Sequence, residues 1–162
     1  MSEEMVGKEL VPVTTEEVAI TKKSKPTLIQ VGNGEICSTG KFHPALAVSY
    51  IEKKPRSKWI KVGELARVFT GANTIPGKRR VRKGLPSVFK QFLDRQDFLL
   101  QHRDRMKNGR IEEVKLIDAT SEVDRQQAET QLQQMKARHE LSTDKYQKAL
   151  NVLAIFEAAV NP

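Results

Sequence analysis

The sequence predicts an α+β fold, a mixed body followed by a long helical C-terminal segment. Three observations carry that expectation. From residue 43 onward the apolar spacing is helical, and near Asp97 it changes to alternation. Asn108-Gly109 stands between two strand-length runs, the strongest short-range hairpin signal in a sequence. From Thr120 to Asn161 there is no glycine or proline.

Residues 1–40 are expected to be a flexible arm with, at most, a small hairpin. Glu3-Glu4, Glu16-Glu17 and Lys22-Lys23-Ser24-Lys25-Pro26 show no amphipathic period and offer little to bury. A basic arm reaching a polyanion is the alternative use of the lysines. Thr27–Val31 and Glu35–Ser38 are short β-prone runs around Gly32-Asn33-Gly34.

Residues 41–119 form the body. His43-Pro44 opens a helix from Ala45 to about Lys53, with Leu46, Ala47, Tyr50 and Ile51 as its apolar stripe. Pro55 ends it, because the residue before a proline avoids helical dihedrals. Trp59–Val62 reads as a short strand that leads directly into a helix at Gly63–Phe69. Thr70–Gly84 reads as a polar loop. Pro86 then sits where a first helical turn tolerates a missing N–H. Val88, Phe89, Phe92 and Leu93 are the apolar stripe of a helix over Pro86–Gln96. Asp97–Arg103 and Arg110–Ile117 are the hairpin strands. A two-residue type I′ turn at Asn108 and Gly109 sets Lys107 against Arg110, Arg105 against Glu112 and Arg103 against Val114.

Strand, helix, loop, helix, hairpin is the order of a winged helix-turn-helix, and residues 43–118 resemble that superfamily at the level of the fold. The resemblance implies that Pro86–Gln96 corresponds to the recognition helix and Arg105–Arg110 to the wing. The link between the two helices departs from the pattern. With Pro76, Gly77 and five basic residues, it is much longer than the usual three- or four-residue turn.

Charge is concentrated on this body. Residues 53–110 carry 17 Lys/Arg against 4 Asp/Glu, whereas residues 1–52 and 111–162 are net −2 and −3. Binding a polyanion calls for such concentration, since each neutralised phosphate releases counterions. Lys58, with Lys53, Lys54 and Arg56, is assigned to non-specific phosphate contact. Lys78, Arg79, Arg80, Arg82 and Lys83 read as a phosphate-binding loop; a mobile solvated loop and a nuclear localisation signal are the other readings of those letters. Ser87, Lys90, Gln91 and Arg95 are candidates to reach base edges. At the hairpin tip, Arg105, Lys107, Asn108 and Arg110 form the candidate wing contact. Lys107 facing Arg110 is unfavourable within a ladder, which an external anion would relieve; a charged edge that deters aggregation is the plainer explanation.

Residues 120–162 are the expected dimerisation segment. Ala128, Leu132, Met135, His139, Ser142, Tyr146, Ala149, Leu153, Phe156 and Val160 alternate spacings of four and three, the coiled-coil period. A continuous helix is expected, with Leu132, Met135, Tyr146, Ala149, Leu153, Phe156 and Val160 at the contact between copies. The alternative is an antiparallel hairpin whose second helix is capped at Ser142-Thr143-Asp144.

No CxxC pair or metal-ligand spacing occurs, so no metal, cofactor or catalytic residue is expected. Cys37 near His43 lacks an orienting partner for a thiol nucleophile. No apolar run is long enough to span a membrane, the N-terminus does not read as a secretory signal, and a single cysteine suits a reducing cytoplasm, nucleoid-associated, or the nucleus in a eukaryote. The sequence therefore leads to a dimeric, sequence-specific binder of double-stranded DNA, a transcriptional regulator or a replication or partition factor of a small replicon. A protein-interaction adaptor and an RNA-binding protein are the alternatives.

Overall fold

The computed structural model describes residues 25–32, 34–104 and 109–160. The chain is α+β, and among the described residues it forms five helices and two small antiparallel sheets. Strands β1 (Leu28–Val31) and β2 (Gly34–Cys37) make a two-stranded ribbon at the N-terminal side. Its inner strand lies against α2 (Val62–Thr70). Helix α1 (Pro44–Glu52) starts on a proline, which has no N–H to leave unpaired, and buries Ala47, Val48, Tyr50 and Ile51.

Strand β3 is only Ile60–Lys61, and the chain enters α2 at Val62. Val62, Leu65, Ala66, Val68 and Phe69 are buried, and Gly71, at φ 92°, closes the helix in a left-handed conformation that suits glycine. The link to the next helix is short, Gly71 to Thr74. Thr74 caps α3 by accepting from the Gly77 amide at 3.1 Å. Gly77 is needed for the close approach, because a Cβ there would lie 2.7 Å from Thr70 Oγ1 and 2.9 Å from the Ala72 carbonyl.

Helix α3 corrects the sequence expectation most. It runs unbroken from Ile75 to Asp94, so the polar loop over 70–84 does not exist and the helix expected at Pro86–Gln96 is its second half. The apolar stripe continues backward through Leu85 and Val81, both fully buried. Those two side chains contribute roughly 1.5–3 kcal/mol each, and the Thr74 cap adds about 1 kcal/mol. Against them stand about 3 kcal/mol for an interior proline and about 1 kcal/mol for a helical glycine. Burial balances or outweighs both breakers. Pro86 faces solvent, and Gly84 makes room for the Phe42 ring.

Strands β4 (Leu99–Arg103) and β5 (Ile111–Leu116) form the hairpin, and β3 adds to β5, giving the order β3-β5-β4. The expected register is wrong by two residues. Gln101, not Arg103, faces Val114, and a bulge at His102/Arg103 brings Arg103 opposite Ile111. The Asp104 carbonyl accepts from the Gly109 amide at 3.0 Å, and Gly109 is left-handed at φ 66°. A two-residue slip keeps every side chain on its face, so alternation alone could not detect it. Arg105, Lys107 and Asn108 lie outside the described residues, as does the arm through residue 24.

The C-terminal segment is two helices, α4 (Glu122–Ala137) and α5 (Thr143–Val160), packed against each other. The continuous helix is thereby replaced by the hairpin alternative. His139 adopts φ 58° immediately after α4, with Glu140 N–H on Met135 O at 2.9 Å and His139 N–H on Lys136 O at 3.0 Å. This is the bond pair of a Schellman ending, made here without glycine. Ser142 Oγ accepts from the Lys145 amide at 3.2 Å and starts the second helix.

The pair is docked on the body rather than projecting from it. Gln131 of α4 donates to Leu99 O at 3.0 Å and accepts from Gln101 N–H at 2.6 Å, satisfying two groups on the open edge of β4. Lys115 and Asp124, both buried, pair at 3.1 Å, and Lys148 of α5 holds Asp94 at the end of α3.

Candidate nucleic-acid interface

The buried stripe of α3 leaves the opposite side to water. On a 3.6-residue period Arg79, Lys83, Ser87 and Lys90 share the outward face, with Arg80 and Gln91 beside them. Arg79, Arg80, Lys83, Ser87 and Lys90 are exposed, and Gln91 is half-buried. Arg79, Arg80 and Lys83 have no ion-pair or hydrogen-bond partner among the described residues. Lys78, half-buried one residue earlier, has none either. Several described cations elsewhere are held by carboxylates: Lys53 by Glu35, Lys54 by Glu64, Arg56 by Asp97, Arg103 by Glu140 and Arg125 by Glu157.

The other residues expected at the interface divide sharply. Arg82 turns away from the outward face. Its Nε donates to Ile111 O at 2.8 Å, and Nη2 reaches Glu112 at 3.4 Å. Glu112 therefore serves α3; Arg105, the cross-strand partner expected for it, lies outside the described residues. Arg95 pairs with Glu52 at 2.7 Å, at the far end of the helix, and is tied to the fold. Lys90 shares Asp94 with Lys148. The Asp94 carboxyl is held below the usual carboxylate range, first by the Lys148 hydrogen bond and then by Lys90. Gln91 and Ser87 lie within 3.5 Å of each other. Lys58 and Arg110 are exposed, Arg110 next to the Ile111 that Arg82 holds.

Sequence reasoning missed the neighbouring cleft. About 440 Å³ in volume, it is lined by Lys61, Arg67, Asn73 and Lys78 against Glu64, Glu112 and Glu113, together with Gly63. Its mixed charge gave no local signal, because the residues come from four separate elements. Cys37 and His43 are bridged by Thr39, which lies 3.4 Å from the Cys37 sulfur and 2.6 Å from His43 Nε2. Cys37 is buried.

The residues expected to join two copies are largely used within one chain. Leu132, Met135 and Ala149 are buried, and Tyr146, Leu153 and Phe156 pack half-buried on the same core, while Val160 is half-buried at the end of α5. An a/d stripe packs as well against an antiparallel neighbour in its own chain as against a second molecule. Among the described residues no helix is long and apolar enough to cross a membrane. No protein-family model, curated protein or solved structure matches the chain.

Proposed function

We propose that this chain is a winged helix-turn-helix protein that binds double-stranded DNA, with α3 as its recognition helix and the β4–β5 hairpin as its wing. One observation carries the reading: Arg79, Arg80 and Lys83 line the outward face of a helix entered through a four-residue turn, with no intramolecular partner among the described residues. The order of elements supports it, as does the sheet order, in which the strand before α2 pairs with the last strand of the hairpin.

Helix α3 has 20 residues, a length of about 30 Å. A major groove about 12 Å wide admits one helix. In this reading Arg79, Arg80 and Lys83 neutralise phosphates, which sets affinity. Ser87, Lys90 and Gln91, on the same outward side, reach base edges, which sets specificity. Arg110 extends the cationic surface toward the tip, where Arg105 and Lys107 would add to it. Regulation of transcription, or of replication or partition in a small replicon, is the role that such a binder would serve in the cytoplasm or nucleus.

The rival is a protein-interaction adaptor whose cations meet an acidic partner. Replacing Arg79, Arg80, Arg105 and Lys107 together by alanine separates the two. Loss of retention on DNA beads under heparin competition supports DNA binding, and an unchanged profile supports the adaptor. RNA is less favoured, because Trp59 is half-buried between His102 and Lys115 rather than displayed for stacking.

A further inference from the structure

The cleft beside α3, about 440 Å³ in volume, draws cations from three elements. Lys61 ends β3, Arg67 lies on α2, and Lys78 sits in the first turn of α3. None of these side chains has a hydrogen-bond or ion-pair partner among the described residues. Arg67 nonetheless has a fixed seat against Gly34 of β2, where a Cβ would come within 3.3 Å of its Nη2. At Gly63 a Cβ would meet the Asn73 amide at 2.6 and 2.7 Å, so glycine there lets Asn73 lie over the first turn of α2. The Asn73 side chain has no partner among the described residues either, and its amide adds N–H donors.

Three carboxylates also line the cleft, and their partners decide its sign. Glu64 accepts from the Tyr50 hydroxyl and pairs with Lys54 at 3.6 Å. Glu112 pairs with Arg82 at 3.4 Å. Glu113 stands opposite Lys61 in the β3–β5 ladder, yet the contact it makes is with His102 Nδ1, at 3.4 Å. Lys54 and Arg82 thus compensate Glu64 and Glu112, which leaves three cations facing Glu113 alone. A metal ion is excluded, because among the described residues no acidic, histidine or cysteine group is arranged to hold one. The surplus matches a phosphate group, about −1.5 to −2 at pH 7, better than a single carboxylate.

We propose that this cleft binds the phosphate group of a small molecule. Arg67 offers paired N–H donors to its oxygens, Lys61 and Lys78 supply charge, and Asn73 donates a further hydrogen bond. The volume falls within the range of small-ligand sites, about 300–1,000 Å³. Lys78 shares its side of α3 with Arg82, one turn on, so the cleft lies at the hairpin root and off the outward face proposed to meet DNA.

Isothermal titration of the full chain with inorganic pyrophosphate, in the absence of DNA, tests this. A Kd below about 1 mM is expected, with acetate giving no measurable binding over the same range. Arg67→Gln and, separately, Lys61→Gln are expected to weaken pyrophosphate binding at least about tenfold. Their thermal melts should be unchanged, because both positions are exposed. Arg80→Gln, on the outward side of α3, is expected to leave the affinity unchanged. Should one cleft variant fail to fold, the other carries the same test. The proposal is overturned by no binding below about 1 mM, by acetate binding as tightly, or by affinity that survives both cleft substitutions. An equal loss in Arg80→Gln overturns it too. Because no DNA is present, either result leaves DNA binding to be judged separately.

Discussion

Arg82 donates from Nε to the carbonyl oxygen of Ile111 at 2.8 Å, joining the basic helix to the root of the hairpin. Three residues earlier, Arg79 points into solvent with no such partner among the described residues. Two arginines in one basic run thus have different tasks. One fixes where the hairpin stands relative to α3, and the other is free to meet an external anion.

Separable phenotypes are expected from that difference. Arg82→Ala should lower stability by about 1–3 kcal/mol, since it leaves a part-buried carbonyl unpaired and removes a charged donor. Arg79→Ala should leave the denaturation midpoint unchanged. In DNA titrations Arg79→Ala should reduce the slope of log affinity against log salt by about 0.9. Urea melts paired with salt titrations check both.

At Gly84 a Cβ would come within 2.2 and 2.3 Å of the Phe42 ring, which itself packs edge-on against Phe69 at 5.1 Å. Gly84→Ala is therefore expected to destabilise by about 1–3 kcal/mol through overpacking, despite the better helix propensity of alanine. In a Phe42→Ala background the sign should reverse, and the same change should stabilise by up to about 1 kcal/mol. A double-mutant cycle measured by thermal melts reads this reversal.

Helix-shaped expectations came out well where one period ran between clear stops. Pro44 and Pro55 bracket α1 in the sequence as they do in space, and the helix expected at Gly63–Phe69 lies within α2. The failures have specific causes. Gly84 and Pro86 read as breakers in the sequence, although Val81 and Leu85 continue the apolar stripe four residues at a time. The strand register expected from an Asn108-Gly109 turn is off by two residues, because face alternation is blind to a two-residue slip. At His139 no glycine announces the bend. A histidine holds the left-handed position, and the apolar register is equally compatible with a straight helix and a folded one. The cations on α3 were legible as a group, but which of them the fold itself claims was not. That depends on the hairpin root, the far end of α1 and the docking of α5.

His139, at φ 58°, pays the cost of a side chain in a conformation that glycine adopts freely. His139→Gly is expected to raise stability by about 0.5–1 kcal/mol without altering the fold. A higher midpoint in urea with an unchanged slope would confirm it; a lower midpoint would show that the ring is needed where it is.

Acid should loosen α5 from α3. Because its folded-state pKa is depressed, Asp94 contributes stability that is present above the ordinary carboxylate range and lost as the pH falls through its lowered value. Melting temperatures followed from pH 7 to about 3 should therefore fall less steeply for Asp94→Asn than for the wild type. Asp118, held low first by its hydrogen bond from Thr120, titrates in both proteins and cancels in the comparison. Parallel curves would show that the Lys148 contact contributes nothing.

Fluorescence anisotropy of a labelled random duplex, titrated with the full chain at several salt concentrations, most directly tests whether the outward face of α3 binds DNA. Binding at low salt is expected, weakening steeply as salt is added, with the steepness reduced when Arg79, Arg80 and Lys83 are replaced by alanine. Absence of binding below about 10 μM at low salt, or affinity indifferent to salt, would contradict it.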